Sequence, residues 1–200
     1  EGDHVGAVLS FKTKKGDKVH VRVASSFISP EQALLNLRSE IGSDSFDATQ
    51  AKAKAAWEKE LSRIRVTDPD PEKVRTFYSS LYRMLQFPRM FYEKDANGKI
   101  VHYSPYDGKV HDGYMFTDNG FWDTWRAVFP FFALMYPELD SQIMQGLVNT
   151  YKEGGWLPEW ASPGYRNVMI GSNSANLIAD AYFNVVRGFG VETLYVALNK

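Results

Sequence analysis

Three short segments hold the side chains best suited to chemistry on a polar, uncharged ligand. The first is Gly120-Phe121-Trp122-Asp123-Thr124-Trp125-Arg126. Asp123 and Arg126 stand three apart at an expected helix start, where they can share a face and where the helix dipole favours a carboxylate. An aspartate among indole rings, with an arginine beside it, can accept hydrogen bonds from sugar hydroxyls. The same residues also read as a capping aspartate with an ion-paired arginine, and side-chain chemistry alone does not choose between the two.

The second segment is Gly154-Gly155-Trp156-Leu157-Pro158-Glu159-Trp160. The glycine pair permits a tight turn, and Pro158 stiffens the stretch that leads to Glu159 and Trp160. Glu159, flanked by two tryptophans, is a candidate general acid if the rings exclude water, and otherwise an ordinary loop glutamate. The third segment runs from Met169 to Tyr182, with Asp180 set in an apolar helical stretch near Asn176 and Tyr182. A carboxylate there needs partners, whether in a site or in a purely structural role.

Other chemistries are disfavoured. The chain has no cysteine, which removes thiol catalysis, thiolate metal sites and disulfides. His4, His20, His102 and His111 lack the spacing of helix-borne zinc ligands. A phosphate-binding glycine loop and a serine nucleophile elbow are both missing. The net charge of −1 and the scattered basic residues speak against nucleic acid or an anionic membrane as partner. No apolar run approaches the ~20 residues of a membrane span.

The elements that must position these segments are mainly helical. At 200 residues and 44% apolar content the chain can bury a real core. Val5, Ala7, Leu9 and Phe11, then Val19, Val21 and Val23, alternate about a polar Gly16 turn, which predicts a β-hairpin belonging to a larger sheet. Ser29-Pro30-Glu31-Gln32 predicts a capped helix start, with Gly42 stopping the helix. A second helix is expected after Ser45 with Phe46, Ala53, Trp57, Leu61 and Ile64 on one stripe. A third is expected after Pro71, ending at Pro88. Residues 89–118 read as a long aromatic loop. Helices are expected next at about 121–135, 138–152, 173–187 and 191–199, with no competing strand signal. Glu1 opens in mid-sequence and the last residues read as an interrupted helix, so a longer parent protein is expected.

Several of these stretches together resemble glycoside hydrolase family 92. They are Ser26-Phe27-Ile28-Ser29, Glu31-Gln32-Ala33 with Asn36-Leu37, Phe77-Tyr78 with Leu81-Tyr82, Phe121 to Arg126, Gly155-Trp156-Leu157-Pro158, and Ile178-Ala179-Asp180-Ala181-Tyr182. The resemblance implies the last strands of an N-terminal β-sandwich (1–28), a helical linker (29–66) and the opening, incomplete part of an (α/α)6 barrel (67–200). It implies a secreted, periplasmic or cell-surface, inverting, Ca2+-dependent exo-α-mannosidase acting on terminal mannosides of N-glycan type, with α-1,2 linkages favoured. Such catalysis needs an acid and a base carboxylate. The Asn-Glu-Pro and Asp-x-Asp segments that carry them in the family have no counterpart here, so neither catalytic residues nor calcium ligands are assigned to this chain. What carries over is Trp122, Asp123 and Arg126 as part of the pocket for the terminal mannose, with Trp156 and Trp160 walling the cleft. Glu159 stands where some relatives have a basic residue. Two other readings stay open: a non-catalytic carbohydrate-binding helical module, or another (α/α)6 glycosidase with Glu159 or Asp123 catalytic.

Overall fold

The computed structural model describes residues 5–200; His4 lies outside them. Three helices come first: α1 (Pro30–Glu40), α2 (Phe46–Leu61) and α3 (Pro71–Met84). Each starts where its cap dictates. Ser29 Oγ accepts from the Gln32 amide, Ser45 Oγ from Ala48 and Asp70 Oδ1 from Glu72. Gln32 does not close the capping box. Its side-chain Nε2 instead donates to Asn36 Oδ1 and to the Lys94 carbonyl.

Residues 89–120 correct the expected long loop. They form six short strands: β1 (Arg89–Met90), β2 (Glu93–Lys94), β3 (Ile100–Tyr103), β4 (Val110–Asp112), β5 (Phe116–Thr117) and β6 (Asn119–Gly120). β2, β3 and β4 make an antiparallel sheet and β1 pairs with β5. Strands of two to four residues are too short to display an alternation, so periodicity could not find them. Glu93 on β2 joins this sheet to α1 and the residues before it. Its carboxylate accepts from Ser26 Oγ, the Phe27 amide and Asn36 Nδ2 at 3.0, 2.9 and 2.6 Å. Ser26, Gln32 and Asn36 are therefore docking residues.

The hairpin expected over residues 5–23 is absent. The segment has a turn where Lys14 and Asp17 exchange bonds, but no ladder, and its apolar side chains lie open, with Val8 at 93% exposure. Two strands without a sheet to lie on do not bury enough surface to order themselves.

The core belongs to four further helices: α5 (Val128–Met135), α6 (Pro137–Gly154), α7 (Asn173–Phe183) and α8 (Val191–Leu198). The one-turn helix α4 (Phe121–Thr124) precedes them, so the helix expected over 121–135 is broken after Thr124. Phe129, Phe132, Met144, Val148, Leu177 and Leu194 interlock at 0–1% exposure. Each such side chain contributes about 1.5–3 kcal/mol through burial. The chain at the end of α2 grips this core at the α5–α6 corner. Arg63 donates to the Met135 carbonyl and stacks on the Tyr136 ring, and the Tyr136 hydroxyl donates to the Glu60 carbonyl.

One polar pair interrupts the core. Asp140, in the first turn of α6, is 1% exposed, and its Oδ1 has no partner among the described residues. Across from it stands Asp180 of α7. Asp180 Oδ1 accepts from Asn184, while its Oδ2 is buried without a partner. Burial, then repulsion from Asp180, pushes the Asp140 carboxyl up to about 7. In the unfolded chain it titrates near 3.9, so between those values the folded state holds a proton that the unfolded state has released. Stability therefore falls as pH rises through this window, and the penalty is complete above about pH 7. Asp140→Asn should remove it. The stability of the variant relative to wild type should increase from about pH 4 to about pH 8, with an upper bound of about 4 kcal/mol. Denaturant melts of both proteins across that range check this, and parallel curves would refute it.

Candidate functional site

Two residues of main-chain pairing assemble the candidate site. β6 lies antiparallel to β7 (Trp160–Ala161), with Asn119 opposite Ala161 and Gly120 opposite Trp160. Gly120 is also the N-cap of α4. This short ladder thus brings the first motif, at the mouth of α4, against the end of the second. The Phe121 amide adds a long 3.3 Å bond to the Glu159 carbonyl. The corner before β6 is tied down as well. Asp118 has φ 56°, a left-handed conformation that aspartate tolerates better than most residues. Its carboxylate meets Arg89 Nε at 3.2 Å and accepts from Ser162 Oγ at 3.2 Å.

Gly120 is required by space and not by backbone conformation, since its φ is −95°. A Cβ there would stand 2.6 Å from Asp123 Oδ2 and 3.0 Å from two ring carbons of Trp160. The Asp123 carboxylate and the Trp160 ring therefore both lie directly against Gly120. Asp123 is exposed, and Trp122 beside it is 40% exposed. The group is an open surface feature, not a sealed piece of core.

The expected Asp123–Arg126 pair is not made. Helical geometry ends at the cap residue Trp125, so Arg126 no longer lies three residues along a common face. Arg126 Nη1 instead donates to the Trp122 carbonyl, and the guanidinium lies 4.8 Å from the Trp122 ring and 4.7 Å from the Trp125 ring. Its planar cation stiffens the aromatic surface beside Asp123. The single turn of α4 also leaves little dipole for Asp123 to use.

Glu159 reaches the third motif. Its Oε2 accepts from the Asn173 amide at 2.9 Å, satisfying a free N–H at the start of α7. That carboxylate joins β7 to α7, which in turn contacts α4. Trp156 lies at the other end of the segment, 55% exposed, with the Lys200 ammonium 4.7 Å from its ring. Of the sequence-derived residues, Asp123 and Trp160 meet at Gly120, and Trp122 and Arg126 stack on one another next along the chain. Glu159 turns to α7 instead, and Asp180 belongs to the pair with Asp140. Gly120 itself was missed as a site residue, although its place directly before Phe121-Trp122-Asp123 is visible in the sequence. Among the described residues no three His, Asp or Glu side chains converge to hold a metal ion. A groove of about 570 Å³, lined by Trp57, Phe87, Met90 and Leu139 among others, shares no residue with this cluster.

Comparison with known proteins gives the cluster its context. Residues 32–200 match the family model of the glycosyl hydrolase family 92 catalytic domain. The family GH92 inverting mannosidase of Bacteroides thetaiotaomicron VPI-5482 superposes with a TM-score of 0.85 at 49% identity, over 87% of this chain and 24% of that one. A family GH92 α-mannosidase of the same organism gives 0.78 at 29% identity, over 87% and 23%. An uncharacterized secreted glycosidase of Arthroderma benhamiae is 29% identical over 184 residues, 88% of this chain and 19% of that protein. The chain thus spans about a quarter or less of the length of these relatives.

The packing at Gly120 makes a direct prediction. Gly120→Ala should force the Asp123 carboxylate or the Trp160 ring aside, because the backbone itself accepts alanine. Near-ultraviolet circular dichroism of the tryptophans should change while the far-ultraviolet spectrum stays that of the wild type. Unaltered tryptophan signals would refute the contact.

Proposed function

We propose that this chain, which belongs to glycosyl hydrolase family 92, supplies one wall of the mannose-binding cleft of an exo-acting α-mannosidase. One observation carries the reading: a carboxylate and an indole ring meet over a glycine at an open helix mouth, as a pyranose requires. Asp123 accepts from the hydroxyls of a chain-end mannose, and its charge strengthens those bonds over neutral ones. The Trp160 and Trp122 faces pack on the apolar side of the ring. Arg126, held on two indoles, keeps Trp122 in orientation. Trp156 extends the wall. The substrate is a mannose-containing oligosaccharide of N-glycan type, and the favoured linkage is α-1,2.

The cleavage is assigned to the inverting class, in which an acid protonates the leaving oxygen while a base activates water on the opposite face. We place both carboxylates, and the ligands of Ca2+, in the remainder of the longer polypeptide. Ca2+ takes six to eight oxygen ligands, a shell that the buried Asp140 and the half-buried Asp180 facing it do not provide. The linker (29–66) then joins an N-terminal sandwich, which residues 1–28 complete once the rest of that sheet is present to pair with, to an (α/α)6 barrel that α3 to α8 begin. Export from the cell completes the reading.

Glu159 is the competing candidate for a catalytic acid, and its bond to the Asn173 amide argues for a structural task instead. Two variants of the full-length polypeptide separate the readings. Asp123→Asn should lower kcat/KM for release of terminal mannose by about ten- to a hundredfold, the worth of a charged hydrogen bond to the sugar. Glu159→Gln should leave kcat within about tenfold of wild type. A loss of several orders of magnitude in the Gln variant would move catalysis onto this chain. A chelator should abolish mannose release and added Ca2+ should restore it; activity indifferent to chelation would remove the metal from the scheme.

A further inference from the structure

Tyr165 lies outside every motif, yet it ties together both ends of the tryptophan segment. Its hydroxyl accepts from the Trp156 amide at 3.1 Å and donates to the Trp156 carbonyl at 2.7 Å. One phenol thus satisfies both main-chain groups of one residue. Its own main chain forms an antiparallel bridge with Ala161. The next amide, that of Arg166, donates to the Trp160 carbonyl at 3.1 Å. The start of the segment, at Trp156, and its end, at Trp160–Ala161, are therefore both referred to the single residue Tyr165.

The surroundings are built to keep this phenol in place. The hydroxyl end of its ring lies against Gly154, where a Cβ would meet the hydroxyl oxygen first and stand 2.9 Å from Cζ and 3.0 Å from Cε2. The first glycine of the pair is thus required by this ring, whereas Gly155, at φ 82°, is required by the left-handed cap of α6. Tyr106 packs on the other side with ring centroids 4.6 Å apart. Burial raises the pKa of the Tyr165 hydroxyl, so it remains a neutral donor. Glu153, the residue before Gly154, holds the fully buried His102 at 3.0 Å, and the second ring nitrogen of His102 bonds the Gly113 carbonyl at 2.8 Å. The last turn of α6 is in this way locked to β3 just below the point where Tyr165 takes hold.

We propose that Tyr165 is a positioning residue of the sugar cleft: it fixes the span between Trp156 and Trp160, so that the two rings meet an oligosaccharide as one preorganised rim. It acts through Trp156 and does not touch the ligand. The proposal rests on the reading that these tryptophans wall the cleft. A rim ordered before binding costs less to order on binding, so loss of Tyr165 is felt in affinity and not in bond breaking.

The test uses the full-length polypeptide with Tyr165→Phe, which keeps the ring on Gly154 and Tyr106 and deletes both hydrogen bonds. The Trp156 amide should exchange its hydrogen faster than in wild type. KM for an α-mannoside that extends past the terminal residue should rise about two- to tenfold, the worth of one or two neutral hydrogen bonds, with kcat within about twofold. Gly154→Ala, which displaces the same ring by crowding, should give the same pattern. Wild-type exchange at Trp156 in Tyr165→Phe would overturn the clamp, and so would a fall in kcat at constant KM. Trp156→Ala distinguishes the two levels. If it leaves KM unchanged, Trp156 is no part of the cleft and the underlying reading fails, while exchange at Trp156 still decides the clamp.

Discussion

Four residues of β-structure organise the site. Asn119 and Gly120 pair with Ala161 and Trp160, and that pairing sets the mouth of α4 against a segment about forty residues away. Its consequences reach outward. The pairing sets Trp160 over Gly120 and presses Asp123 against the same glycine. It lets Glu159 reach the first amide of α7. A ladder this short has little stability of its own. It persists because both strands are flanked by firmer structure: Asp118 with its arginine and serine on one side, and the Tyr165 turn on the other.

The helical frame was legible because its signals are local. Ser29, Ser45 and Asp70 sit where caps must sit, and each accepts the expected amide. Pro137 opens α6 and Gly155 closes it in the left-handed conformation. The strands were not legible, since two-residue strands have no period to read. The 5–23 segment failed in the opposite sense. Its alternation is real, but alternation describes a face and does not provide the sheet that the face would cover.

The site was legible as a set of residues more than as an arrangement. Trp122, Asp123, Arg126 and Trp160 were singled out by type and neighbourhood, and the fold sets Asp123 against Trp160 and Trp122 against Arg126. Spacing misled about Arg126, because the three-residue rule presumes a helix that continues past Thr124. Gly120, Glu93, Asp140 and Tyr165 act through partners far along the chain. A glycine crowded by an indole from the opposite strand looks, in sequence, like any other glycine. Asp140 likewise stands in an ordinary helix start, and its burial and its neighbour Asp180 on α7 appear only in the fold.

Trp160 is held by main-chain bonds, and Gly120 by the space it leaves free. These are different kinds of constraint, with different evolutionary latitude. A ladder of amides and carbonyls does not register which side chain it carries, so position 160 can change its group while the strand stays in register. Position 120 has no such freedom, since any added carbon meets a carboxylate and a ring together. A diverging lineage would therefore be expected to vary the indole and keep the glycine, altering the surface chemistry without rebuilding the frame around it.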